Sequence, residues 1–277
     1  GIVAYAEDAL AEADAFLAEH AADFGVADAT QALAQLSSLR PTAGEYYGRY
    51  TELWEACRQT AVEHNLLTWP DFPIEYVPRP LWSRAAAPYL YFLFYRSPAA
   101  INRPDVHRYL VAPLDETASP AEQDTFLREN NDSVIKLNHV VHHGSIGHHV
   151  QNWHAFRSPS RIGRMAAVDC ASRIAMFCGG TMAEGWACYA TSLMGEVGFL
   201  APLENYAEVQ SRRRMSARAI ADVKVHNGQF TLEDAADFYQ QRAAMSADAA
   251  VGEAVKNSMF PGAAMMYLYG TDKIYSF

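Results

Sequence analysis

The sequence predicts a mainly α protein with a small β element, as a single domain over residues 1–277, and three observations carry that reading. Apolar residues recur at the three- and four-residue spacing of amphipathic helices over most of the chain. One stretch, from Pro70 to Pro104, breaks that period with prolines and clustered aromatics. No internal repeat or low-complexity tract is visible, and half of the 277 residues are hydrophobic, enough for a sizeable core.

Residues 2–22 place Val3, Ala6, Leu10, Ala13, Phe16 and Leu17 near helical spacing with acids opposite, which predicts an amphipathic helix. A second helix fits 43–66, through Trp54 to His64. Between Pro70 and Pro104 the pattern suggests one or two short strands, and the run Tyr89 to Tyr95 either lines a groove or fills a core. After a turn-rich acidic stretch at 115–123, helical patterning returns over 124–143, 148–156, 160–177, 182–196, 202–226, 232–245 and 247–258. Thr231 stands where an N-cap belongs. Pro261-Gly262 opens a last helical run carrying Tyr267, Tyr269 and Tyr275.

The formal net charge of −10 argues against nucleic acid or an anionic membrane surface as partner. Arg212-Arg213-Arg214, the one basic run, reads as a solvated helix face or, alternatively, as a clamp for an anionic substrate. Cys57, Cys170, Cys178 and Cys188 form no CxxC pair, so they make no zinc ribbon; as small buried hydrophobes they suggest a reducing, cytoplasmic setting. The first nineteen residues lack the basic region of a signal peptide, and no apolar run reaches membrane-spanning length. His20, His64 and His107 read as surface or core-edge residues.

Residues 142–151 read HHGSIGHHVQ and pack four imidazoles into eight positions beside a glycine kink. Neutral imidazole is the commonest protein ligand for zinc and its neighbours, so the segment is a candidate metal site; a hydrogen-bonded histidine network or a solvated turn is the alternative. In the zincin motif HExxH two histidines one turn apart bind the ion, and the glutamate between them deprotonates water. This chain departs from it twice: His143 stands where the glutamate would be, and the next histidine after His142 is His148, past Gly144 and Gly147. A helix carrying both ligands must therefore be distorted. His139 and His143, four residues apart, form a rival ligand pair. Glu184 is a possible carboxylate ligand, or a capping-box partner of Thr181.

The segment resembles the HExxPGHxxQ signature of the bacterial family known as domain of unknown function 885, thought to be relatives of gluzincin metallopeptidases. His142, Gly147, His148 and Gln151 match it, while His143 and Ile146 replace the glutamate and proline. Glu184-Gly185-Trp186-Ala187-Cys188-Tyr189 resembles the family's EGWALYAE segment. Arg218, Asp222 and His226 resemble its arginine, aspartate and histidine pattern, and Glu253, Pro261-Gly262 and Tyr267 resemble its EVxRYxxxPGQALSYKIG block, with Lys256 in the place of arginine. The resemblance implies a zincin-like helical fold, covering mainly the later half of longer members. It implies His142, His148 and Glu184 as metal ligands. Gln151, Asp222, His226 and Glu253 are then expected, with Arg218, to form a polar network that orients those ligands, the alternative for Arg218, Asp222, His226 and Glu253 being solvated helix faces; Arg218 is also a candidate to bind a substrate carboxylate in a bidentate way.

Ordinary peptide hydrolysis needs the missing glutamate, so the expected activity is a zinc-dependent reaction on a small organic substrate. In it His143 or Tyr267 moves a proton during hydrolysis, elimination or retro-aldol cleavage. Iron(II), manganese or cobalt suits the same donors. A zinc peptidase or amidase with His143 as base and a non-catalytic binding or assembly subunit are the alternatives. A partner chain or homo-oligomer fits the apparent absence of the family's earlier half.

Overall fold

A computed structural model describes residues 1–84, 101, 105–168 and 178–277. The described residues are mostly helical with one small parallel sheet, as the sequence pattern predicts. They gather into two compact units: Gly1–Ala34, Gly180–Tyr189 and Ala201–Phe277 form the first, Gln35–Gly179 and Ala190–Leu200 the second. The sequence pattern carries no signal of this division.

The first unit is built on helix Pro202–His226, against which helix Ile2–His20 runs. Ala6 and Ala9 are buried with Ala219, Ile220 and Leu268, and such small side chains let helix axes approach closely. Charges flank the seam rather than face solvent: Arg213 pairs with Asp14, and Arg212 grips both oxygens of Asp272 at 2.7 and 3.0 Å. The solvated-face reading of the basic run thus holds only for the exposed Arg214. Helix Leu232–Ala243 starts at Thr231, the N-cap the sequence suggests; its hydroxyl accepts from Asp234 N while Asp234 reaches back to Thr231 N, which completes a capping box. Helices Ala247–Met259 and Met265–Tyr275 complete the unit.

In the second unit, strands Ile74–Pro78 and His107–Val111 pair in parallel, from Ile74 opposite His107 to Pro78 opposite Val111. The first lies inside the stretch expected to be extended and the second just beyond it; Tyr89 to Tyr95 lie outside the described residues. His107, Tyr109 and Val111 alternate inward with the period of two that a half-buried strand requires. Helix Tyr46–Glu63 packs against this sheet and against the segment that carries the histidines. Tyr46, Tyr50, Tyr109, Ile135, Val140, Val141, Ile146 and Met194 form the shared core.

The helix expected over 124–143 is three pieces. Helix Pro120–Glu129 ends at Asn130; Asn131 then caps a new turn, its side chain accepting from Ser133 N and Val134 N. From Ile135 to Gly144 the chain winds as a π-helix. Helix Ala29–Leu36 carries too short a pattern to be read from sequence, whereas His148–Phe156 and Pro202–His226 lie where the periodicity puts them.

Candidate functional site

A π-helix is rare and costs hydrogen-bond geometry, so ten residues of it require external support for backbone groups. The second unit supplies that support. Trp54 Nε1 donates to Gly144 O at 2.8 Å, Tyr76 Oη to His139 O at 3.3 Å, and Gly147 N to Val141 O at 3.0 Å. The chain breaks at Ser145, whose hydroxyl meets the Cys57 thiol, and helix His148–Phe156 begins after Gly147.

Gly147 is what allows the sharp return. A Cβ there would lie 1.9 Å from His142 O, and one at Gly144 would lie 2.0 Å from Tyr76 Oη, so neither position accepts a side chain without backbone movement. This is the helix distortion that the six-residue spacing between His142 and His148 demands.

The return folds His148 onto His142 and His143. One ring nitrogen from each of His142, His143 and His148 lies within 4.8 Å of the others. Ring centroids are 4.5 Å apart for His142 and His143, 4.9 Å for His142 and His148, and 5.3 Å for His143 and His148. His148 is buried and the other two are partly so. His143 Nδ1 lies 2.7 Å from Asn138 O. A carbonyl only accepts, so Nδ1 carries the proton and the lone pair of the neutral ring is on Nε2. Burial first, and then the imidazoles of His142 and His148, push His143 well below the ordinary histidine range.

His139 stands outside the three-histidine group, with Nδ1 2.5 Å from Tyr109 Oη, and burial lowers it to about 4. His149, the fourth imidazole of the segment, stacks on Phe72 and donates from Nε2 to Phe72 O at 2.6 Å, which makes it a packing residue. Gln151 donates to Ala167 O at 2.8 Å and so ties down the following helix. His107, expected at the surface or core edge, is buried among Phe72 and His149 because its strand alternates inward.

The remaining expected site residues sit in the first unit. Arg218 grips Glu253 with Nε and Nη2, both at 2.8 Å, so its bidentate acceptor is Glu253. Despite burial, the guanidinium and Lys256 hold Glu253 down at about 2. Asp222 accepts from Gly262 N at 3.0 Å and Ala264 N at 2.9 Å and meets His226 Nδ1 at 2.8 Å, thereby fixing the Pro261-Gly262 turn to helix Pro202–His226.

Tyr267 lies under Arg218, its phenol pushed well above its ordinary range by burial and by Glu184. Glu184 is half-buried on helix Gly180–Glu196. That helix begins at Gly179 rather than Thr181, so the capping box is absent there. Gly185 beside it meets Gly270 backbone to backbone: a Cβ at 185 would lie 2.3 Å from Gly270 C, so the two helices cross at this pair.

Sequence reasoning missed Trp54, Tyr76 and Tyr109. Their only signal is aromatic character, which is indistinguishable from core until the π-helix shows what their polar ends hold.

The model for a family described as bacterial proteins of unknown function, DUF885, matches residues 1–277. No curated protein matches. Two solved structures share the fold at 18% identity and cover 99% of this chain. One, from Shewanella oneidensis, is described as "a putative lipoprotein of unknown function" and superposes with a TM-score of 0.72. The other, from Colwellia psychrerythraea, is described as "the putative lipoprotein" and gives 0.77. The chain covers 49% and 45% of their lengths, about half. Both are described as lipoproteins, which contradicts the expected cytoplasmic setting. The cysteine argument fails on physical grounds: Cys57 and Cys188 are buried, and burial pushes the Cys57 thiol up to about 12, so their unpaired state reflects packing rather than compartment. No described helix is long and apolar enough to cross a membrane. On the match over its whole length, the chain belongs to the DUF885 family of bacterial proteins of unknown function.

Proposed function

We propose that the chain is a metal-dependent enzyme in which His142, His143 and His148 hold a divalent cation, zinc first among the candidates, and that it acts on a small organic substrate by hydrolytic or lyase-type chemistry. The observation that carries this reading is the convergence of three imidazole nitrogens within 4.8 Å. Zinc takes neutral imidazole at about 2.0–2.1 Å, and iron(II), manganese and cobalt suit the same donors. When bound, such a cation supplies a Lewis acid and lowers the pKa of a water beside it.

The chain's own residues divide the rest of the work. His143 Nδ1–H donates a hydrogen bond to Asn138 O, which orients the ring and leaves the Nε2 lone pair for a metal. Its depressed proton affinity suits a ligand better than a base, since a base works best with a pKa near the operating pH. The glutamate's replacement thus exchanges a proton acceptor for a third nitrogen donor. Such a site favours substrates activated enough to react without that carboxylate, which separates this chain from a gluzincin-like peptidase. The proposal rests on the histidines alone.

Elemental analysis of the purified, zinc-reconstituted chain tests the reading. About one equivalent of metal is expected, lost in His142→Ala and His148→Ala and kept in His139→Ala. Loss in His143→Ala assigns it as a ligand, and retention with loss of turnover assigns it proton transfer. No metal in any preparation sinks the proposal in favour of a binding or assembly subunit.

A further inference from the structure

Helix Pro202–His226 carries Arg214 and Arg218 one turn apart, so they share a face. Helix Ala247–Met259 brings Lys256 to the same place, its Nζ 3.8 Å from Glu253 Oε1, the oxygen that accepts from Arg218 Nε. Glu253 forms the floor at 4% exposure, while Arg218 at 22% and Lys256 at 23% reach solvent and Arg214 is exposed. Tyr267 supplies a wall, its ring 5.5 Å from Arg218 Cζ and 5.9 Å from Lys256 Nζ. Among the described residues, the Nη1 end of the Arg218 fork donates to no protein group.

We propose that Arg214, Arg218 and Lys256 form a binding site for a small anion, a carboxylate or a phosphate, above Glu253 and Tyr267. Like charges at one-turn spacing repel: burial and then Arg218 disfavour the charged form of Arg214, and Glu253 offsets part of this. An anion seated between the cations removes that repulsion. A guanidinium offers it paired donors, Lys256 a point charge, and Tyr267 a hydroxyl that burial keeps protonated and therefore able to donate. Lys256 stands where the family pattern has arginine, so the cation is kept while its geometry changes. The site lies wholly in the first unit and does not depend on a metal.

Calorimetric titration of the whole chain, in buffer with a chelator, with inorganic phosphate and separately with succinate tests the site. Saturable binding of one of these anions is expected, weakened at least tenfold in Arg214→Gln and in Lys256→Gln and restored in Lys256→Arg. Both variants leave the two Arg218 to Glu253 hydrogen bonds in place, and far-UV circular dichroism checks that both fold. The anion that binds identifies the ligand as carboxylate or phosphate. Absence of saturable binding of both anions, or unchanged binding in both glutamine variants, overturns the proposal. Because the chelator removes metal, this result stands apart from the metal analysis.

Discussion

The burial of His107 makes the second unit sensitive to mild acid, and the size of the effect follows from one ring. His107 opens strand His107–Val111 and is 2% exposed, packed against Phe72 and His149. Burial, with a smaller contribution from His149, lowers it to about 3 from the ordinary 6.5. Because the folded pKa lies below the unfolded one, the unfolded chain takes up the extra proton between them. Stability is therefore full above about pH 6.5 and falls as the pH drops toward 3. Between pH 7.5 and 5.0 the difference in protonation integrates to roughly 1.5 units, or about 2 kcal/mol at 1.36 kcal/mol per unit. His107→Phe removes the titrating group and keeps an aromatic ring among aromatic neighbours. Urea unfolding with chelator present, followed by tryptophan fluorescence, reads mainly this unit, since Trp54, Trp69, Trp82 and Trp153 lie in it and only Trp186 does not. The wild type is expected to lose about 2 kcal/mol more than the variant between the two pH values. Equal losses would refute the argument, because the ring would then not be held neutral by burial.

Gly147→Ala must displace the His142 carbonyl that a Cβ would meet at 1.9 Å, so zinc affinity is expected to fall at least tenfold while the circular dichroism stays near wild type; unchanged affinity would detach the glycine from the histidine geometry. Gly185→Ala puts a methyl group 2.3 Å from the Gly270 backbone, and thermal unfolding should show a loss of about 2–3 kcal/mol, as overpacking of a close crossing costs. Asp222→Ala strands the Gly262 and Ala264 amides; a loss of about 2 kcal/mol is expected, with faster hydrogen exchange at those two amides, and protection equal to wild type would contradict the bonding.

What could be read from the chain in advance, and what could not, follows from the range of the interactions concerned. The helices Pro202–His226 and His148–Phe156 are legible because periodicity and end signals lie within the segments themselves. The gathering of His142 and His148 is legible only as a problem: the spacing is wrong for one α-helical face, and the two glycines say that the backbone bends without saying how. The answer depends on Trp54 and Tyr76, which are distant in sequence and hold the carbonyls of Gly144 and His139. A π-helix has no local propensity to betray it, because its cost is offset by tertiary partners. The same holds for Arg218. Its residue type announces a bidentate clamp, but only the fold reveals that Glu253 occupies two of its nitrogens and that Lys256 meets the same carboxylate. His107 fails in the opposite sense: a lone histidine between strand-forming residues reads as a surface residue until the register of the parallel pair turns it inward with Tyr109. In each case the sequence names the chemistry of the side chain and leaves its partner to be supplied by packing, so the residues that support the cluster, Trp54, Tyr76 and Tyr109, are where substitution should most directly separate fold from metal affinity.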